Sequence, residues 1–152
     1  MSGAPTLAAF FPRDLYISKE KRVIYDRLTT DSISPLEGEP MATVFVYAAV
    51  FGFQNDQKRK LKTRELSITS SAITDVQKAV LLSLVISDNG DTDVLLDSKG
   101  TIEAICQYAN GGIDILEKKL IKGGADPIIQ MSADLNEIFQ KILDADSSSD
   151  SP

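Results

Sequence analysis

The segment from Met41 to Phe51 (MATVFVYAAVF) is apolar almost all round, and it constrains the fold more than any other stretch of the chain. An element without a polar face has to be enclosed by others, so it belongs at the centre of a core. Pro40 before it and Gly52 after it favour a helix over Met41–Phe51, with Pro40 as the first residue and Gly52 closing the last turn. Periodicity alone leaves a buried strand open for Val44 to Tyr47.

A second pattern supplies the wall such a helix needs. Ile102, Ile105, Ala109, Gly112, Leu116 and Leu120 recur at spacings of three or four, which is one face of a long helix. The stripe passes through Gly111-Gly112 without changing phase. Two glycines inside a helix cost about 1 kcal/mol each relative to alanine. A tight helix–helix contact at Gly112 offsets that cost; a kink, two separate helices, or a face at Gly111 and Gly112 kept for a partner are the other readings.

The remaining elements follow from caps and periodicity. Ser18 is placed to cap a helix over 19–28, with Val23, Ile24 and Leu28 inward. Ser70 or Ser71 caps a third helix from Ala72 to about Ser87, ended by turn chemistry at Asp88 to Asp91. A short helix over 93–96 comes next. Asp126-Pro127 opens a further helix with Ile128, Met131, Leu135, Ile138 and Ile142 inward. Alternation around Leu66 and Ile68 allows a strand. The chain of 152 residues therefore reads as a mainly α, single-domain bundle of about five to six helices with room for one short strand pair. Its boundaries are a flexible arm over 1–12, a helical domain over 13–143 and a disordered acidic tail over 144–152.

Composition excludes several kinds of chemistry. The chain has no histidine, so Ser-His-Asp and Cys-His nucleophiles and His-ligated zinc are ruled out. No Gly-Lys dipeptide occurs, which removes the phosphate-binding P-loop. Starting at Asp88, the acidic group Asp88, Asp91, Asp93 and Asp97 has the wrong residues for a calcium loop, and Asp91 and Asp93 suit a helix start instead. Glu117-Lys118-Lys119 resembles a nuclease triplet but falls on a strongly periodic helix, where it reads as solvated charge. The expectation is no enzyme, no catalytic residue, no cofactor and no metal. Cys106, the single cysteine, reads as a buried inert thiol and points to a reducing, cytoplasmic setting. No apolar run reaches the roughly 18–20 residues a membrane span needs.

Charge is unevenly distributed. Arg13 to Arg64 holds ten basic and seven acidic residues, whereas Glu65 onward holds six and fifteen. Within the basic half, Lys58, Arg59, Lys60, Lys62 and Arg64 place five cations in seven residues. Clustered cations of this kind suit phosphate. A solvated loop and an acidic protein partner are the competing readings. No aromatic interleaves with the run, which argues against sequence-specific reading of single strands.

The motifs fall in a recognisable order: Val44 to Phe53, the basic Lys58-Arg59-Lys60-Leu61, the apolar Val80–Ile86, Asp93-Val94-Leu95-Leu96, and Tyr108-Ala109-Asn110-Gly111-Gly112-Ile113-Asp114-Ile115-Leu116. This order resembles the DNA phosphorothioation-associated proteins of type 4. They are small bacterial proteins encoded beside the Dnd genes, which replace a DNA phosphate oxygen by sulfur and restrict unmodified DNA. The Tyr-Ala-Asn-Gly-Gly piece is the most specific. The resemblance implies a setting in such a modification and defence system, with Dnd-system proteins or DNA as partners, and carries over no catalytic residue. The expected role is a non-enzymatic accessory protein touching DNA or a DNA-bound partner through the basic loop. The alternative is a protein–protein adaptor or homo-oligomer subunit that never meets DNA.

Overall fold

A computed structural model describes residues 11–123 and Glu137. Its order is strand β1 (Asp14–Ile17), a 3₁₀ turn at Lys19–Lys21, helix α1 (Arg22–Thr30), α2 (Met41–Gln54), β2 (Glu65–Thr69), a 3₁₀ turn at Ser70–Ala72, α3 (Asp75–Asn89), a 3₁₀ turn at Thr92–Leu96 and α4 (Ser98–Gly123). The fold is mainly α: four helices and one two-stranded antiparallel sheet among the described residues. The segment expected to be short helix over 93–96 is a 3₁₀ turn. The arm over 1–10, the helix expected after Asp126 and the tail lie outside the described residues, Glu137 excepted.

α2 is the hub, as its apolar surface requires. Ala42, Val44, Phe45, Val46, Ala48, Ala49, Val50 and Phe51 are all buried. Its most extensive partner is α4, whose stripe Ile105, Ala109, Ile113, Leu116 and Leu120 is buried along the contact. α1 and α3 pack on the remaining sides of this pair, and β1 lies against α4. The strands pair with an irregularity between Leu15 and Tyr16, where the partners pass from Ile68 to Leu66. Leu15, Ile17 and Ile68 join the core.

The α2–α4 pair is close because three positions lack a side chain. A Cβ on Gly112 would collide with the Ala48 carbonyl and the Gly52 amide. One on Gly52 would strike the Tyr108 carbonyl, and one on Gly111 the carbonyl of Gln57, just beyond α2. Gly52 therefore does not close α2 but lies inside it, at the crossing, and the helix runs on to Gln54. Asn55 ends it, its side chain donating to the Phe51 carbonyl at 2.8 Å, and Asp56 turns the chain with φ 54°.

Other boundaries move for local reasons. Pro40 is the N-cap of α2 and precedes its first residue. Ser18 makes no capping bond; its hydroxyl donates to Asn110 Oδ1 at 2.8 Å, and a 3₁₀ turn precedes α1. Val23 is 59% exposed, and Tyr25 fills the inward position. At 100° per residue, Val23 stands roughly 140° from Leu28 around the helix, whereas Ile24 and Tyr25 share its face. α3 starts later than Ser70 or Ser71 would place it. Thr74 accepts the Gln77 N–H while the Gln77 side chain accepts the Thr74 N–H, a reciprocal capping box. Gly90, left-handed at φ 82°, ends α3.

Gly112→Ala gains about 1 kcal/mol of helix propensity yet should lose about 2–3 kcal/mol or more net, because backbone cannot yield to the new methyl group. Gly90→Ala should cost only about 1–2 kcal/mol for its left-handed backbone. Urea unfolding of the two variants checks the ranking; equal small losses would show that α2 and α4 separate freely.

Candidate functional site

The five residues Tyr108 to Gly112 organise one side of the molecule. They lie mid-α4, and Tyr108, Asn110, Gly111 and Gly112 each act on different neighbours, while Ala109 is buried in the core. The Tyr108 hydroxyl donates to Asp88 Oδ1 at 2.5 Å, and its ring meets Phe53 edge-on at 5.6 Å between centroids. Asn110, only 8% exposed, donates to the carbonyls of Arg59 (3.3 Å) and Lys60 (3.1 Å) and accepts from Ser18. Gly111 and Gly112 are buried against Gln57 and α2 within the same chain. The basic loop is thus laid across α4 and pinned by a buried amide. The Arg59 N–H completes the attachment, donating to the Gln107 carbonyl at 3.0 Å.

The five cations of that loop do not behave alike. Lys58 is tied at 2.9 Å to Asp88 and sits 5.4 Å from the centre of the Tyr108 ring. The Tyr108 hydroxyl, and then Lys58, hold the Asp88 carboxyl below its usual range. Arg64 pairs with Glu103 at 3.3 Å. Among the described residues, the Arg59 guanidinium reaches only the neutral side chain of Gln57, at 3.3 Å. Lys60 and Lys62 are exposed and form no ion pair with a described residue. Thr63 anchors the far end: its hydroxyl accepts the Lys19 N–H at 2.9 Å and donates to Glu20 at 2.7 Å. That hydroxyl lowers the Glu20 pKa more than nearby Lys62 does.

The charge asymmetry of the sequence is largely consumed in folding. Lys21–Asp114 (2.6 Å), Arg22–Glu65, Arg27–Glu117 (2.5 Å), Lys58–Asp88 and Arg64–Glu103 each join a cation of the basic half to a carboxylate of the acidic half. Exposed pairs of this sort contribute about 0–1 kcal/mol each. Their larger effect is to select which cations remain for a partner.

Beside the loop, a cleft of about 310 Å³ opens between β1, the loop and α4. Tyr16, Leu61, Ile102 and Cys106 line it together with Lys60, Arg64, Glu103 and Gln107. Tyr16 comes from β1, so the aromatic missing from the basic run is supplied from a distant part of the chain. Spacing within the run carries no trace of it. The Cys106 thiol, 3% exposed, accepts the Tyr16 N–H at 3.3 Å. Burial pushes its pKa up to about 11.

The other acidic and mixed motifs have structural occupations. Asp91 accepts the Asp93 N–H at 2.9 Å, capping the 3₁₀ turn, and Asp97 accepts from Gly100 at 3.1 Å at the head of α4. Glu117 holds Arg27, and Lys119 lies 5.5 Å from the centre of the Phe51 ring. Among the described residues no three His, Cys, Asp or Glu side chains converge as a metal site, and no helix is long and apolar enough to cross a membrane.

The motifs that build this surface lie within a single family match. The family model of DNA sulphur modification system-associated protein 4 matches residues 15–150. The chain belongs to that family. No curated protein and no solved structure matches it. Association with a DNA sulphur modification system is what the family description states. The matched range spans most of β1, the basic loop and the Tyr108–Gly112 segment of this sulphur-modification-associated chain.

Asn110→Ala strips two carbonyls and a hydroxyl of their partner and should cost about 1–3 kcal/mol in urea unfolding. It should also raise amide exchange at Arg59 beyond the global effect. The lowered Asp88 pKa means that its contribution is present above the ordinary carboxylate value, near 3.9, and is lost as pH falls through the folded value. Protection at Arg59, corrected for intrinsic exchange, should hold from pH 7 to about pH 4 and decline below it. Cys106 should react with a thiol reagent at neutral pH only at the rate of opening, and denaturant should release it.

Proposed function

We propose that this protein is a non-enzymatic accessory component of a DNA phosphorothioate modification and restriction system, and that its basic loop rests on the DNA phosphate backbone. The observation carrying this reading is the pair of exposed cations, Lys60 and Lys62, which form no ion pair with a described residue, on a loop whose backbone is pinned to α4 by Asn110. A loop held from below presents cations in a fixed place, so little conformational entropy is lost on contact. Arg59, whose guanidinium bonds among the described residues to the neutral side chain of Gln57, can join them. Lys58 and Arg64 belong to the same surface but are shared with Asp88 and Glu103, so their part is smaller. Contacts of this kind set position on DNA and read no sequence.

The family description supports the setting. The composition supports an accessory role: the chain has no histidine, and Glu65, Asp88, Asp91, Asp97, Glu103, Asp114 and Glu117 are taken up in caps and ion pairs. A reducing cytoplasm is the compartment in which such a system meets DNA, and it suits the unoxidised thiol of Cys106.

Binding to a short duplex between about 50 and 200 mM salt tests the loop, because each neutralised phosphate contributes about 0.9 to the slope of log affinity against log salt. Lys60→Glu/Lys62→Glu should weaken binding and lower that slope by about 2. Unchanged affinity and slope in the double variant would refute phosphate contact and favour a protein–protein adaptor.

A further inference from the structure

The cleft beside the loop differs from a phosphate-binding surface in having walls. Tyr16 contributes an aromatic side chain, and Leu61 and Ile102 add apolar surface. The side-chain amide of Gln107, able to donate and accept at once, bonds to no described residue. Lys60 and Arg64 against Glu103 leave the lining one positive charge in excess. Its volume, about 310 Å³, lies at the lower end of the range for small-ligand sites.

Those groups match the parts of one nucleotide. A base needs an aromatic or apolar face and hydrogen-bonding groups at its edge, and its phosphate needs a cation. The bases of an intact duplex are stacked and out of reach, so the matching substrate is unpaired. We infer that the cleft between β1, the basic loop and α4 takes a single unpaired nucleotide, with Tyr16 facing the base, Gln107 at its edge and Lys60 at its phosphate. This rests on the reading of the loop as a phosphate-contacting surface and extends it from the duplex backbone to an exposed base. Cys106 stays a neutral thiol at physiological pH and adds no charge that would repel the phosphate. Stacking on one aromatic tolerates any base, so no sequence preference is expected.

Fluorescence anisotropy with the full chain, using labelled hexathymidylate and a labelled duplex in parallel, tests the assignment. Tyr16→Leu removes the ring, and Gln107→Trp fills the cleft while keeping the backbone carbonyl that anchors Arg59. Both should weaken hexathymidylate binding roughly tenfold, the size of one lost stack, and leave duplex binding unchanged. Lys60→Glu/Lys62→Glu should weaken both ligands. Circular dichroism checks folding, and if the tryptophan variant unfolds, Tyr16→Leu decides. Excess thymidine 5′-monophosphate separates the two sources of the chemistry: full displacement of hexathymidylate assigns a free nucleotide, and resistance assigns one held in a strand. Wild-type duplex binding with hexathymidylate binding that neither cleft variant alters overturns the cleft assignment and leaves the phosphate reading standing. Absence of binding to either DNA removes both.

Discussion

The structure depends on how closely α2 and α4 approach. At Gly52 and Gly112 the backbones are separated by nothing wider than a glycine, and any Cβ there would meet a carbonyl or an amide. Helix propensity is given up at these positions to gain contact between the apolar surface of α2 and the buried stripe of α4. The crossing also fixes the course of the chain beyond α2. Because Gly111 admits the Gln57 carbonyl, the chain leaving α2 is drawn directly over α4. Residues 58–60 arrive where Asn110 can hold their carbonyls. The placement of the basic loop is therefore a consequence of core packing.

Charge is sorted by the same geometry. The linear order of charges suggests a molecule with a positive and a negative end, but packing sets cations from the first half against carboxylates from the second. Each such pair reduces the separation of charge that the linear order implies, while the net charge of −6 is unchanged. Among the described residues, the loop keeps a local group of cations outside these ion pairs, Arg59, Lys60 and Lys62, with Lys19 brought near by its bond to Thr63. A partner would meet a small, well-placed positive patch. This suits backbone contact at short range better than steering from a distance, since exposed charges are screened beyond about 8 Å at physiological salt.

The core carries one polar imperfection. The Tyr25 hydroxyl is buried with no hydrogen-bond partner among the described residues, and burial drives its pKa strongly upward. Its ring occupies the inward position on α1.

Local sequence determined much of this protein. The enclosed helix over Met41–Phe51, the long striped helix through Gly111-Gly112, the mainly α class and the lack of histidine chemistry come from residue type and spacing, because periodicity and side-chain chemistry are properties of a short window. Element ends were less legible. Gly52 resembles a helix terminator until α4 is placed beside it, and Ser18 resembles a cap until Asn110 takes its hydroxyl. The basic run was visible as charge, but which of its cations are engaged was not, since Asp88 and Glu103 lie 30 and 39 residues from their partners. The same holds for Tyr16, which reaches the cleft only through strand pairing and the packing of β1 on α4. Such juxtapositions join residues far apart in the chain, and only tertiary packing brings them together.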